Sequence, residues 1–229
     1  MKWPQALPSQ CLVCHAWPCA QVVCSDCLRQ ATTPAWRCAG CALALPGLGV
    51  ERPRCGACLR QPPPWHSAHA WVDYSYPWNH LITRWKFAQQ PALARHFAHW
   101  MQQQPALMLA VNEADMLIPI PMSPERMRER GYNPAAQLAQ HLCRAKCSTD
   151  VLYRTRHTVA QSQQTRAQRL RNLRDALAVH PARHPALQGL RVLLVDDVMT
   201  TGATLTVATQ CLLHAGAAQV QVLSLARTP

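Results

Sequence analysis

Residues 192–205 read VLLVDDVMTTGATL, and this segment fixes the fold class of the chain. Its first four residues are all apolar, which is typical of a parallel strand buried on both faces. Two adjacent carboxylates, Asp196 and Asp197, follow at the carboxyl end of that strand. Ligands of open α/β sheets bind at this edge. The segment therefore predicts an α/β domain with a ligand site beside the two aspartates.

The polar residues after the aspartates have the composition of a phosphate-binding turn. They are Thr200, Thr201, Gly202, Ala203 and Thr204. Backbone amides at the start of a helix favour an anion, and glycine lets the backbone approach it closely. The hydroxyls add donors for phosphate oxygens, while two carboxylates can accept bonds from vicinal sugar hydroxyls. The segment thus predicts a ribose 5-phosphate site, since a simple helix cap needs one such residue and not several.

Apolar spacing in the rest of the chain predicts further elements of the same domain. Strands are predicted at residues 68–76, 116–120 and 220–225, and helices at residues 79–87, 91–104, 134–147 and 202–215. Strands that alternate with helices predict a parallel sheet with right-handed crossovers, flanked by helices. Cys143, Cys147 and Cys211 fall on helical patterns and are predicted to be buried thiols.

Cysteine is concentrated near the beginning of the chain, where eight of the twelve cysteines form four Cys-x-x-Cys pairs. The pairs are Cys11/Cys14, Cys24/Cys27, Cys38/Cys41 and Cys55/Cys58. Two intervening residues let one turn aim both sulfurs at a tetrahedral ion, and two turns complete a four-thiolate zinc site. We predict a module with about two structural Zn²⁺ ions. Sequential and cross-braced pairing both fit the spacing, and His15 or Cys19 could replace a ligand.

A run of three prolines, Pro62 to Pro64, follows the last cysteine pair. It predicts a boundary between a Cys-rich, zinc-ribbon-like module (1–64) and the α/β domain (65–229). The sequence contains no apolar run long enough for a transmembrane helix and no secretory signal is recognised at its start. Free thiolate ligands suit a reducing compartment, so the expected location is the cytoplasm.

The charge balance is strongly basic, with 23 Lys and Arg residues against 11 acidic ones. Residues 126–174 hold eleven of the basic residues and only two acidic ones, and Arg126, Arg128 and Arg130 alternate in a predicted loop. Arginine binds phosphate through a planar, permanently charged fork. These three residues and Arg171 are therefore candidates for contact with a nucleic-acid backbone or with pyrophosphate, the alternative being a solvated face.

Residues 192–204 resemble the phosphoribosyl-diphosphate (PRPP) motif of type I phosphoribosyltransferases: four apolar residues, two acids, two free positions, then Thr-Thr-Gly-x-Thr. The resemblance implies a phosphoribosyltransferase-like fold. It also implies that Asp196 and Asp197 hold the ribose 2- and 3-hydroxyls and that residues 200–204 hold the 5-phosphate. Mg²⁺ would bridge the diphosphate and the ribose hydroxyls. No catalytic residue is assigned.

Cys-x-x-Cys knuckles ahead of such a domain resemble the ComF/GntX family, which is linked to DNA uptake and to the use of DNA as a nutrient. Supporting segments are Lys86-Phe87, Pro119-Ile120-Pro121, Arg128-Glu129-Arg130-Gly131-Tyr132-Asn133, Gln161 and Arg171-Asn172. The resemblance implies single-stranded DNA, PRPP or a related ribosyl phosphate, and a DNA-uptake or helicase protein as partners. The alternative is an active Mg²⁺-dependent phosphoribosyltransferase acting on an unidentified base or nucleotide-related acceptor.

Overall fold

The computed structural model of the chain describes residues 9–32, 35–46, 53–155 and 177–229. The strands are β1 (Trp36–Arg37), β2 (Ala44–Leu45), β3 (Ala68–Asp73), β4 (Met116–Pro119), β5 (Leu152–Arg154), β6 (Leu177–Val179), β7 (Arg191–Met199) and β8 (Gln219–Arg227). The helices are α1 (Ser25–Ala31), α2 (Gly56–Arg60), α3 (Trp78–Phe87), α4 (Leu93–Gln102), α5 (Pro105–Glu113), α6 (Pro124–Arg130), α7 (Pro134–Cys143), α8 (His184–Leu187) and α9 (Ala203–His214). Short 3₁₀ turns cover Arg144–Lys146 and Pro181–Arg183.

A parallel sheet with strand order β3-β8-β7-β4 forms the centre of the described structure. Two antiparallel pairs accompany it, β1–β2 in the Cys-rich module and β5–β6 beside the main sheet. The parallel sheet with flanking helices confirms the predicted fold class. The sheet matters for function because it brings the carboxyl ends of β3, β4 and β7 to one edge.

Strand β7 is buried on both faces, as its apolar run predicts. Leu193 and Val195 lie in a core with α3, α4, α5 and α7. Val192 and Leu194 lie in a second core with α9 and the β5–β6 pair. All four side chains are at most 1% exposed. The strand is longer than the apolar run, because it continues through both aspartates to Met199 and pairs with β8 along its length.

Helix α6 replaces the loop that the alternating arginines suggested. The Ser123 hydroxyl accepts a bond from the backbone of Arg126, Pro124 occupies the first turn, and Gly131 ends the helix with φ of 80°. The helix buries no residue, and its sequence lacks the apolar periodicity that predicts a helix. The sequence marked only its two ends, through the capping serine, the proline and the final glycine.

Other predicted element ends shift by a few residues. The strand predicted to reach residue 76 ends at Asp73, and the helix predicted to reach Cys147 gives way to a 3₁₀ turn after Cys143. Cys143, Cys147 and Cys211 are half-buried and not fully buried as predicted. They lie at the margins of the two cores. Cys147 lies beyond the helix, where it bridges to strand β4.

The Cys-rich module packs directly on the sheet. Arg37 donates to a carboxylate oxygen of Asp73 at 2.8 Å, and Arg227 donates to the carbonyl of Cys41 at 2.8 Å. The indole of Trp78 donates to the carbonyl of Ala31 at 2.8 Å. The boundary near residue 64 stays a prediction. Among the described helices, none is both long enough and apolar enough to span a membrane.

Candidate functional site

The two aspartates lie near the carboxyl end of β7, on opposite faces of the sheet. Asp196 continues the face of Val192 and Leu194, and Asp197 continues the face of Leu193 and Val195, because successive residues of a strand alternate. A carboxylate oxygen of Asp196 accepts a bond from the backbone of Asp197 at 2.9 Å. Strand β4 ends beside Val195, so the aspartates extend beyond their neighbour on that side.

A cleft of about 470 Å³ opens over these aspartates. Its lining includes both carboxylates, Thr200 and Thr204, together with four cations from three other parts of the chain. The cations are Lys86, Arg126, Arg130 and Arg154. A volume of this size falls in the range of small-molecule sites. Glu129 also lines the cleft, so its four cations exceed its three carboxyl groups by one, and this balance suits an anionic ligand.

Two of these cations interact with the aspartates, Lys86 with Asp197 and Arg154 with Asp196. Lys86 at the end of α3 donates to Asp197 at 2.6 Å, and both side chains are largely buried. Arg154 at the end of β5 interacts electrostatically with Asp196 and donates to the carbonyl of Pro121 at 2.9 Å. Burial lowers the pKa of Arg154, and the neighbouring charge of Arg126 lowers it further. The cleft thus combines carboxylates for hydroxyls with cations for phosphates.

Helix α6 explains which of the alternating arginines meet the cleft. Arg126 and Arg130 are four residues apart, share one helix face and line the cleft. Arg128 lies on another face, where it pairs with Glu125 at 3.3 Å. Arg171, the fourth candidate, lies outside the described residues, as do Gln161 and Asn172.

The predicted phosphate turn forms the connection from β7 to α9. Gly202 has φ of 75°, a left-handed conformation that favours glycine. An added Cβ there would also lie 3.1 Å from the indole of Trp65. Helix α9 begins at Ala203, whose amide donates to the Thr201 hydroxyl at 3.4 Å. Of the predicted phosphate-binding residues 200–204, Thr200 and Thr204 line the cleft. Thr200 and Thr201 are exposed and Thr204 is half-buried.

The pKa of Asp196 is far from its ordinary value. Burial, reinforced by the like charge of Asp197, raises this pKa to about 7. Lys86 and Arg154 act in the opposite direction. The charged form of Asp196 is therefore disfavoured in the free protein. A cation or a hydrogen-bond donor that reaches this carboxylate stabilises its charged form.

The cysteines form two groups of four in sequential order. Cys11, Cys14, Cys24 and Cys27 make the first cluster, and Cys38, Cys41, Cys55 and Cys58 make the second. Within each cluster all sulfurs lie within 4.8 Å of one another. The structure therefore chooses sequential over cross-braced pairing. His15 and Cys19 are not members, and the Cys19 thiol donates to the carbonyl of Gln21 at 2.7 Å.

The spacing of the sulfurs fits a metal ion. A tetrahedral zinc site with Zn–S bonds of ~2.3 Å separates its sulfurs by about 3.8 Å. The sulfurs of Cys14 and Cys24 are 3.8 Å apart, and those of Cys41 and Cys55 are 3.7 Å apart. All twelve cysteines lie in the described ranges, and none forms a disulfide. Each cluster can hold one metal ion.

Backbone amides stabilise the thiolate form inside the clusters. The Cys11 sulfur accepts bonds from the amides of Cys24 and Val13, and the Cys38 sulfur accepts one from Cys55 at 3.2 Å. Burial opposes ionisation of Cys11, yet these amide bonds outweigh it and lower the thiol pKa to about 6. Such bonds orient the ligands of a metal site.

Sequence reasoning missed the roles of Lys86 and Arg154 in the cleft. Lys86 is 111 residues away from its partner Asp197 in the chain. One signal was available in the sequence. Lysine is rare in this protein, which has three, and Lys86 lies near the end of a predicted helix with an apolar face. Arg154 lies at the end of a three-residue strand that no pattern indicated.

Residues 86–229 match the phosphoribosyl transferase domain family. The chain is 34% identical over 218 residues to "DNA utilization protein YhgH" of Escherichia coli O6:H1, which covers 90% of each chain. It is 35% identical to "Competence protein F" of Haemophilus influenzae, covering 76% of this chain and 78% of the relative. It is 37% identical to "Competence protein ComFC" of Bacillus subtilis over 49% of this chain and 45% of the relative.

Proposed function

Because the chain belongs to the ComF/GntX family of phosphoribosyl transferase domain proteins, we propose that it serves DNA uptake or the use of DNA as a nutrient. In this proposal it binds single-stranded DNA and retains a ribosyl 5-phosphate site that takes PRPP with Mg²⁺. The observation that carries the proposal is the cleft, where paired carboxylates and a phosphate turn lie among four cations.

The ribosyl phosphate would lie across the end of β7. Asp196 and Asp197 would accept bonds from the ribose hydroxyls, and residues 200–204 would donate to the 5-phosphate. Arg126, Arg130 and Arg154 would hold the diphosphate. Mg²⁺, when bound, would neutralise diphosphate charge beside the carboxylates. Lys86 would release Asp197 as the sugar binds.

We propose that zinc occupies the two cysteine clusters. Four thiolates at tetrahedral spacing are the donor set of structural zinc, and the sulfur distances support this assignment. Because free thiolates require reducing conditions, the proposed location is the cytoplasm. A DNA-uptake or helicase protein is the proposed protein partner.

An active phosphoribosyltransferase is the second candidate, favoured by the arginines around the aspartates. Arg126, Arg130 and Arg154 would stabilise pyrophosphate as it leaves the anomeric carbon of PRPP. A base or a related nucleophile would form the new bond to that carbon. Release of pyrophosphate from PRPP in the presence of candidate bases would support this role, and binding of PRPP without turnover would exclude it for the bases used.

The test of the proposed function measures both ligands on the zinc-loaded protein. Calorimetry with PRPP should show binding that needs Mg²⁺. Anisotropy of a labelled oligodeoxythymidine should show binding that weakens steeply with salt, because Arg–phosphate contacts release counterions. Failure to bind PRPP–Mg²⁺ would contradict the sugar-phosphate site. Failure to bind the oligonucleotide at low salt would contradict the DNA role.

The affinity for PRPP–Mg²⁺ should depend on pH through Asp196. Because the pKa of Asp196 is raised to about 7, its carboxyl is mostly protonated below pH 7 and mostly charged above it. The proton held below pH 7 therefore favours the protein without ligand. The ligand requires the charged form, so we expect affinity to increase about tenfold from pH 6 to pH 8. Calorimetry at both pH values measures the step, and Asp196→Asn should lack it. An identical step in that variant would assign it to the phosphates of PRPP.

A further inference from the structure

The outer face of α3 carries a row of aromatic and basic side chains. The row consists of Tyr76, His80, Arg84 and Phe87, spaced by four, four and three residues. We call it the α3 row. The spacing of His80, Arg84 and Phe87 places these three along one side of α3. Tyr76 lies two residues before the helix begins, and it lines one cavity together with His80 and Arg84. The opposite side packs into the core through Trp78, Leu81, Ile82 and Trp85, each at most 2% exposed.

The two aromatic rings of the α3 row face outward. Tyr76 is 70% exposed and Phe87 is 71% exposed, whereas the two tryptophans of α3 are buried. The guanidinium carbon of Arg130 lies 4.8 Å from the centre of the Phe87 ring, so this ring already accepts a planar cation on its surface. Exposed rings interleaved with cations form the stacking platform of single-strand binding proteins.

The α3 row connects two features of the molecule. At one end Tyr76 lies beside the first cysteine cluster, where it shares a small cavity with Val13 and His15. At the other end Phe87 lines the cleft over Asp196 and Asp197. The ten residues of α3 span about 15 Å, and Tyr76 lies beyond their first turn. That length is several times the ~3.4 Å nucleotide spacing of a stacked strand.

The charge of this region favours a polyanion. Residues 74–112, which include α3, α4 and most of α5, contain no aspartate or glutamate. Two cations of this region, Arg84 and Lys86, lie on α3 itself. An apolar protein partner would contact only the aromatic rings. A nucleic-acid strand would stack its bases on the rings and place its phosphates in the positive potential.

We propose that the α3 row is the track of single-stranded DNA, with bases stacked on Tyr76 and Phe87 and a phosphate held by Arg84. The proposal rests on the proposed function and adds the surface that performs its DNA-binding part. It leads the strand from the first cysteine cluster to the mouth of the cleft. The track differs from the arginines of α6 that the sequence pointed to, although Arg130 meets it at Phe87.

The test uses the full-length, zinc-loaded protein and a labelled oligodeoxythymidine. Tyr76→Ala and Phe87→Ala should each weaken binding by at least about fivefold, the lower limit for loss of one base stack. Tyr76→Phe should bind like the parent protein because it keeps the ring. Arg84→Gln should reduce the slope of log affinity against log salt by about one. Tyr76→Ala should leave PRPP–Mg²⁺ binding unchanged.

Matched controls lie elsewhere on the surface. Tyr153 is an aromatic residue with 41% exposure outside the track, and Arg95 is an exposed cation on α4. Tyr153→Ala and Arg95→Gln should bind DNA like the parent protein. If the parent protein binds DNA but Tyr76→Ala and Phe87→Ala bind as well as Tyr153→Ala, the track is overturned and the DNA role stands. If the parent protein binds no oligonucleotide at low salt, both fail.

Discussion

Replacing Cys38 by serine is expected to remove one of the two proposed zinc ions and to lower the thermal midpoint of the protein by more than about 10 °C. Cys38 is fully buried, and its sulfur orders the second cluster by accepting the amide of Cys55. Without the metal, three thiolates are left close together with nothing to neutralise them. The loss should spread, because the cluster is tied to the sheet through Arg227, which donates to the carbonyl of Cys41.

Elemental analysis and thermal unfolding measure these two effects. Cys19→Ser is the matched control, since Cys19 is a buried cysteine of the same module outside both clusters. This control should keep about two zinc ions per chain. A Cys38→Ser protein that still holds about two ions and unfolds at the parent midpoint would contradict the assignment of Cys38 as a required zinc ligand.

Replacing Asp197 by asparagine is expected to weaken binding of PRPP–Mg²⁺ by about 10- to 100-fold. The substitution keeps the shape of the side chain and removes the charge that would accept bonds from a ribose hydroxyl, and hydrogen bonds to charged groups contribute ~1.5–3 kcal/mol. It also leaves Lys86 without its carboxylate partner inside the cleft. Calorimetric titration of the variant measures the effect.

Asp115→Asn is the control for this substitution. Asp115 also forms an ion pair, with Arg191 at 2.8 Å, but it lies at the opposite end of β7 from the cleft. Its replacement should leave PRPP–Mg²⁺ binding as it was. Equal affinity in Asp197→Asn and in the parent protein would contradict the assignment of the aspartate pair to the sugar.

The sequence predicted those strands, helices and cysteine turns that are determined by residues close together in the chain. The buried strand before Asp196 follows from its continuous apolar run, and α7 begins at Pro134, where the helix over residues 134–147 was predicted to begin. The clusters follow from the spacing of the cysteines. The sequence did not predict which cysteine pairs share a cluster, because sequential and cross-braced pairing satisfy the same turns. Only the folded chain shows that Cys14 lies next to Cys24.

The cleft was predicted only in part because half of it is made by distant chain segments. The aspartates and the phosphate turn are contiguous, and contiguity is visible in a sequence. Lys86 and Arg154 reach the aspartates through α3 and β5, and these contacts depend on how the helices pack. The positions of Arg126 and Arg130 depend in the same way on the formation of α6, which aligns them and turns Arg128 away.

One tryptophan connects the second cysteine cluster to the turn between β7 and α9. The indole of Trp65 donates to the carbonyl of Gly40, between Cys38 and Cys41, at 2.7 Å, and its ring rests against Gly202 in the phosphate turn. With zinc in the second cluster, as proposed, loss of the ion should loosen this contact and distort the turn. On this proposal, a cell that is short of zinc would contain copies of the protein whose turn beside the cleft is misshapen.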